Sequence, residues 1–165
     1  MRGAFLDRWT AYGGLPLNGF PLSDEFAERL EDGKVYRVQY FERVRLEYHP
    51  EYAAPNDVQL GQFGRRIHPA DPPLPPPSGP TPADRVYFAE TGHSIVGAFF
   101  DYWYIHGGLS QFGYPLTEEF DEVLADGKTY LVQYFERARF EHHPENAAPY
   151  NILLGQFGRQ IWGGR

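Results

Sequence analysis

The chain contains no cysteine. That absence excludes disulfides and thiolate zinc sites together, and says little about compartment, because many secreted bacterial proteins avoid the residue. Basic clusters are missing as well. No basic run exceeds the pair Arg65-Arg66, and the formal net charge is −7 at pH 7. Nucleic acid is therefore not the expected partner, since phosphate backbones select clustered Lys and Arg. The same balance disfavours an anionic membrane surface. Long apolar runs are lacking too. Asp7 and Arg8 interrupt the N-terminal stretch at once, so neither a signal peptide nor membrane insertion is expected. If the protein is exported, its signal lies on a longer precursor or has been removed from this chain. No Gly-x-Ser-x-Gly elbow occurs, and the Gly-Gly pairs are not set between a strand and a helix as a phosphate loop requires. No cofactor is implied.

What the chain has in abundance is aromatic residues, 17% of its 165 positions. Either the core is built from rings, or rings line a contact surface. It is also duplicated. Sliding the sequence against itself by about 94 residues aligns 3–67 with 97–161 without a gap, and roughly 40 of about 65 positions are identical. Shared blocks include Gly-Gly-Leu, Asp-Gly-Lys, Val-Gln-Tyr-Phe-Glu-Arg, His-Pro-Glu and Leu-Gly-Gln-Phe-Gly-Arg. The reading is two homologous repeat domains, 1–67 and 85–165, joined by a Pro-rich linker at 68–84.

That linker favours extended polyproline II and reads as a plain tether. At ~3.1 Å per residue it could hold the copies roughly 40–45 Å apart. Copy 2 is preceded by Arg85–Val96, a plausible strand and turn, with no counterpart before copy 1. Either the chain belongs to a longer array, or copy 1 takes that strand from elsewhere.

Within a copy, Phe5, Leu6 and Trp9 (Phe99, Phe100 and Trp103) fall at helical spacing, and Gly13-Gly14 or Gly107-Gly108 stops the helix. Gly19-Phe20-Pro21-Leu22 and Gly113-Tyr114-Pro115-Leu116 read as turns. Asp24–Leu30 and Glu118–Leu124 are expected as short helical turns. Residues 36–41 and 44–49 alternate as a β-hairpin across Glu42-Arg43, repeated at 130–135 and 138–143. Val58–Gly64 and Ile152–Gly158 could be a helical turn or a strand. Each copy is thus a small α+β unit, a short helix plus a β-hairpin with loop-rich segments, near the lower size limit for independent folding.

The Trp-then-Gly-Gly spacing, the Gly-x-Pro-Leu-x-x-Glu segment and the Phe-Glu-Arg strand resemble the LGFP-type tandem repeats of secreted bacterial proteins. The resemblance covers both copies, although Asn18-Gly19-Phe20-Pro21 and Phe112-Gly113-Tyr114-Pro115 lack the name-giving Leu. It implies an extracellular, non-catalytic module at the cell envelope. The implied partner is cell-wall polysaccharide; the missing leading strand of copy 1 motivates the alternative, copies of the chain itself assembled into a surface fibre or layer by strand exchange.

Candidate contact residues follow from the hairpin. Arg45, Glu47 and His49 share one face of its second strand and recur unchanged as Arg139, Glu141 and His143. The other face drifts from Val44, Leu46 and Tyr48 to Ala138, Phe140 and His142. Duplicated domains usually hold the buried face, and here the polar face is held. It is either a strip that meets a ligand or another subunit, or a fixed Arg45–Glu47 ion pair beneath the loop carrying Pro50-Glu51. Trp9, Trp103, Phe41 and Phe135 are candidate rings of a sugar-stacking platform, or else core. Glu42 with Glu47 could form a carboxylate pair, but Glu42 stands beside Arg43, where salt-bridging is the commoner outcome. A metal site from His142-His143 lacks a third ligand, and neighbouring strand residues point to opposite faces.

Overall fold

The structure is a computed structural model that describes residues 1–79 and 82–164; Pro80 and Thr81 of the Pro-rich linker lie outside them. It is mixed α+β, with all strand pairings antiparallel. The described chain divides into two compact units. Unit 1 is residues 1–63 together with 156–164, and unit 2 is the described part of residues 64–155. These units cut across the sequence copies, because the last segment of each copy is assigned to the unit built on the other.

In unit 1, α1 (Gly3–Ala11) and α2 (Gly14–Asn18) precede a four-stranded meander, β1 (Phe26–Arg29), β2 (Val35–Tyr40), β3 (Arg45–Tyr48) and β4 (Val58–Leu60). A short helix, α3 (Phe63–Ile67), begins where unit 1 gives way to unit 2. Pairing of Val38 with Glu47 and of Tyr40 with Arg45 fixes the register. Period-two geometry then puts Tyr36, Val38 and Tyr40 on one face with Arg45 and Glu47. Phe41, Leu46, Val58 and Leu60 lie on the other, where α1 packs and Phe5 is fully buried among them. Asp24–Leu30 is not helical. Phe26–Arg29 pairs with β2 as an edge strand, and Phe26 stacks on Tyr40 at 6.1 Å. Cross-strand burial overrides the local helical preference there.

The hairpin turn is held from below. Glu42 and Arg43 donate backbone N–H bonds to the carbonyls of Phe20 and Asn18 at 3.0 and 3.2 Å. Gly19, at φ +81°, sits where a Cβ would lie 2.7 Å from the Glu42 Cβ, so the close approach needs glycine.

Unit 2 repeats this plan with α4 (Gly97–Ile105), α5 (Gly108–Phe112), β7 (Phe120–Val123), β8 (Thr129–Tyr134), β9 (Arg139–His142) and β10 (Ile152–Leu154). It adds a hairpin of β5 (Arg85–Phe88) and β6 (His93–Val96), the strand-and-turn read from the sequence. Gln133 donates to the carbonyls of Ser94 and Thr117, tying that hairpin to the sheet. Glu118–Leu124 is again strand rather than helix, for the same reason. Both 58–64 and 152–158 contain a strand and then the start of a helix, the second being α6 (Phe157–Gly163).

The linker is not a free tether along its whole length. Asp71 donates to the Leu116 carbonyl and Leu74 to that of Gly92, each at 2.9 Å. Tyr87 and His93 reach the carbonyls of Leu74 and Asp71. Proline has no N–H, so the non-proline positions supply the donors that fasten this part of the linker to unit 2.

Candidate functional site

The polar face that the two hairpins share is largely buried. Arg45 is 2% exposed and lies 2.7 Å from Glu47 and 3.0 Å from Glu31, while donating to the Tyr40 hydroxyl at 3.1 Å. His49 bridges Glu47 and Glu51 through its two ring nitrogens, at 3.3 and 3.2 Å, and its ring lies 4.2 Å from that of Tyr36. Arg45 and Glu47 therefore form the fixed ion pair that was one of the two sequence readings. Arg139, Glu141 and His143 repeat the arrangement with a more open guanidinium, 17% exposed. Phe41 and Phe135 are wholly buried, which removes them from any exposed platform. Trp9 and Trp103 are half-buried, each donating its indole N–H to the carbonyl of Gly19 or Gly113.

What covers this face is the exchanged segment. In unit 1, Trp162 of α6 packs on Tyr40 at 5.0 Å and on Phe26 at 5.9 Å. Arg159 donates its backbone N–H to the Glu42 carbonyl at 3.0 Å, and its guanidinium pairs with the Glu42 carboxylate. In unit 2, Arg65 makes the same two contacts with Glu136, and His68 stacks on Tyr134 at 4.3 Å. Glu42 is held below the usual carboxylate range by the backbone N–H of Phe20 and then by Arg159, despite its burial. Glu42 is thus committed on both oxygens to structural partners.

A second feature lies on the opposite face of the unit 1 sheet. A cavity of about 270 Å³ opens between α1 and the β3–β4 loop, lined among others by Asp7, Arg8, Tyr12, Pro55, Asp57 and Val58. Arg8 is 7% exposed, and its guanidinium lies 3.7 Å from the centre of the Tyr12 ring, within cation–π range. The cavity therefore joins an aromatic ring and a fixed cation to two acidic residues and an apolar floor. Sequence reasoning missed most of it because it sought residues shared by the copies. At the aligned positions copy 2 has Tyr102 for Arg8, His106 for Tyr12 and Asn151 for Asp57. The signal was in these differences.

Among the described residues, no helix is long and apolar enough to cross a membrane. Comparison of the chain with protein-family models, with curated proteins and with solved structures finds no match.

Proposed function

We propose that the chain is a non-enzymatic extracellular module that attaches a protein to the bacterial cell envelope by binding cell-wall glycan. The observation that carries this reading is the unit 1 cavity. Ligand pockets are concave and mostly apolar, with a few placed polar groups, and commonly run from about 300 Å³ upward. At about 270 Å³ this one suits a single sugar ring rather than an extended chain. A pyranose would lie beside Tyr12 and the Arg8 guanidinium stacked on the tyrosine ring, with Arg8, Asp7 and Asp57 taking its hydroxyl groups. The resemblance to LGFP-type repeats supplies the expectation of an envelope location.

The test is a pulldown of the full chain on purified cell walls, followed by titration with soluble wall fragments. Binding that weakens at least tenfold in Tyr12→Ala, with folding intact by circular dichroism, supports the reading. Absence of retention, or retention unchanged in Tyr12→Ala and Asp57→Asn, overturns it.

A further inference from the structure

The two exchanged segments show more than a curiosity of chain path. Each places a Gly-Arg step on the Phe-Glu-Arg turn of a hairpin that comes from the other copy. A Cβ on Gly64 would fall 1.6 Å from the Phe135 carbonyl oxygen, and one on Gly158 would fall 1.8 Å from that of Phe41. The receiving atom is backbone, which cannot swing aside, so only glycine admits the contact. Arg65 and Arg159 then add the same backbone bond and the same ion pair. The connecting chain nevertheless differs greatly between the two cases. Arg65 lies 71 residues before Glu136, and Arg159 lies 117 residues after Glu42. Docking in both directions, over unequal spans, means that the hairpin face recognises the segment itself rather than one particular tether.

From this we propose that residues 156–164 are an exchangeable plug, and that the hairpin face of unit 1 also accepts the same segment from a second copy of this chain. The site is incomplete without it, because Tyr40 and Phe26 lie beneath Trp162. The effective concentration of a tethered segment falls as its tether lengthens, so the 117-residue span holds the plug less firmly than a short linker would. At high protein concentration a neighbouring chain's plug competes, and the result is a domain-swapped pair or an open run of chains. The sequence suggested exchange of a strand; the exchange proposed is of the terminal helix instead. This proposal stands apart from the cavity, which lies on the other sheet face.

The experiment uses full-length Gly158→Ala, whose plug is blocked while its receiving face is unaltered, and a synthetic peptide copying residues 156–164. The variant should bind the peptide at least tenfold more tightly than the wild-type chain, whose own plug competes. A peptide carrying alanine at position 158 should not bind. Trp162→Ala, which leaves the glycine contact alone, serves as the second open-face variant if Gly158→Ala fails to fold. In parallel, wild-type chain refolded from urea at rising concentration should show species at multiples of 19.0 kDa by light scattering, and Gly158→Ala should not. Folded variants that ignore the peptide, equal binding of the alanine peptide, or a wild-type chain that refolds solely as monomer would each overturn the proposal.

Discussion

Replacing Arg45 with Met should be far more damaging than the same change at Arg139, although the two residues are equivalent in sequence. Arg45 is 2% exposed and faces Glu47 at 2.7 Å, Glu31 at 3.0 Å and the Tyr40 hydroxyl at 3.1 Å. Methionine fills much of the space but leaves the Glu47 carboxylate, 8% exposed, without its counter-charge. Removing one partner of a buried pair costs about 3–5 kcal/mol. Glu141 is as buried as Glu47, but Arg139 is 17% exposed, so water can enter where its guanidinium stood and reach the carboxylate. There the loss should be nearer that of one charged hydrogen bond, about 1.5–3 kcal/mol. The assay is urea unfolding, with hydrogen exchange of β3 and β9 to assign each loss to its unit. For a unit of this size, each kcal/mol moves Tm by about 4–8 °C. The double variant Arg45→Met/Glu47→Leu should recover most of the deficit, because removing both charges is often neutral. Equal losses below about 1 kcal/mol at both arginines, or a double variant weaker than Arg45→Met alone, would refute the reasoning.

Two further outcomes concern titration. In unit 1, Arg37 pairs with Glu25 at 3.6 Å, whereas unit 2 has Leu131 and Glu119 at those positions. Burial, then the neighbouring Glu118, raises the Glu119 pKa. A carboxyl raised in the folded state costs stability at neutral pH and ceases to do so as pH falls through the raised value. Glu119→Gln should therefore stabilise the protein by under about 1 kcal/mol at pH 7, with the gain vanishing on acidification; a pH-independent effect in urea titrations would count against this. The Tyr130 phenol donates to Asp126 at 2.8 Å, and that bond, with burial, pushes its pKa up to about 12. Asp126→Ala should return one tyrosine to the ordinary range near ~10 in alkaline absorbance titration. An unchanged curve would show that the hydrogen bond is not its cause.

Much of the local structure was legible because it depends on near neighbours. The Phe5–Trp9 spacing marked α1 and the alternation of 36–49 marked β2 and β3, whereas Gly19–Leu22, read as a turn, instead bends at Phe20 and bridges Phe41 through Pro21. Asp24–Leu30 misled because its pattern suits a helical turn, while its actual state depends on an open edge of β2 that lies several residues downstream. The polar face of β3 misled in another way. Holding Arg45, Glu47 and His49 unchanged in both copies suggests a surface that meets something, and the structure shows each guanidinium enclosed by its own hairpin and the rings around it.

The sequence by itself determined that the chain is a duplication, and left open whether its rings would pack in the core or line a surface; the structure packs rings and aliphatic side chains together. Only the tertiary structure decided which terminal segment covers which hairpin, and that the cavity is built from residues of copy 1 that copy 2 replaces. The reason is physical. The two copies, identical at roughly 40 of about 65 positions, carry closely similar plugs and receiving faces, so local patterning does not choose between the pairings. The observed pairing is visible only in long-range backbone contacts such as Gly158 against Phe41, which form once residues 117 positions apart, such as Glu42 and Arg159, have met.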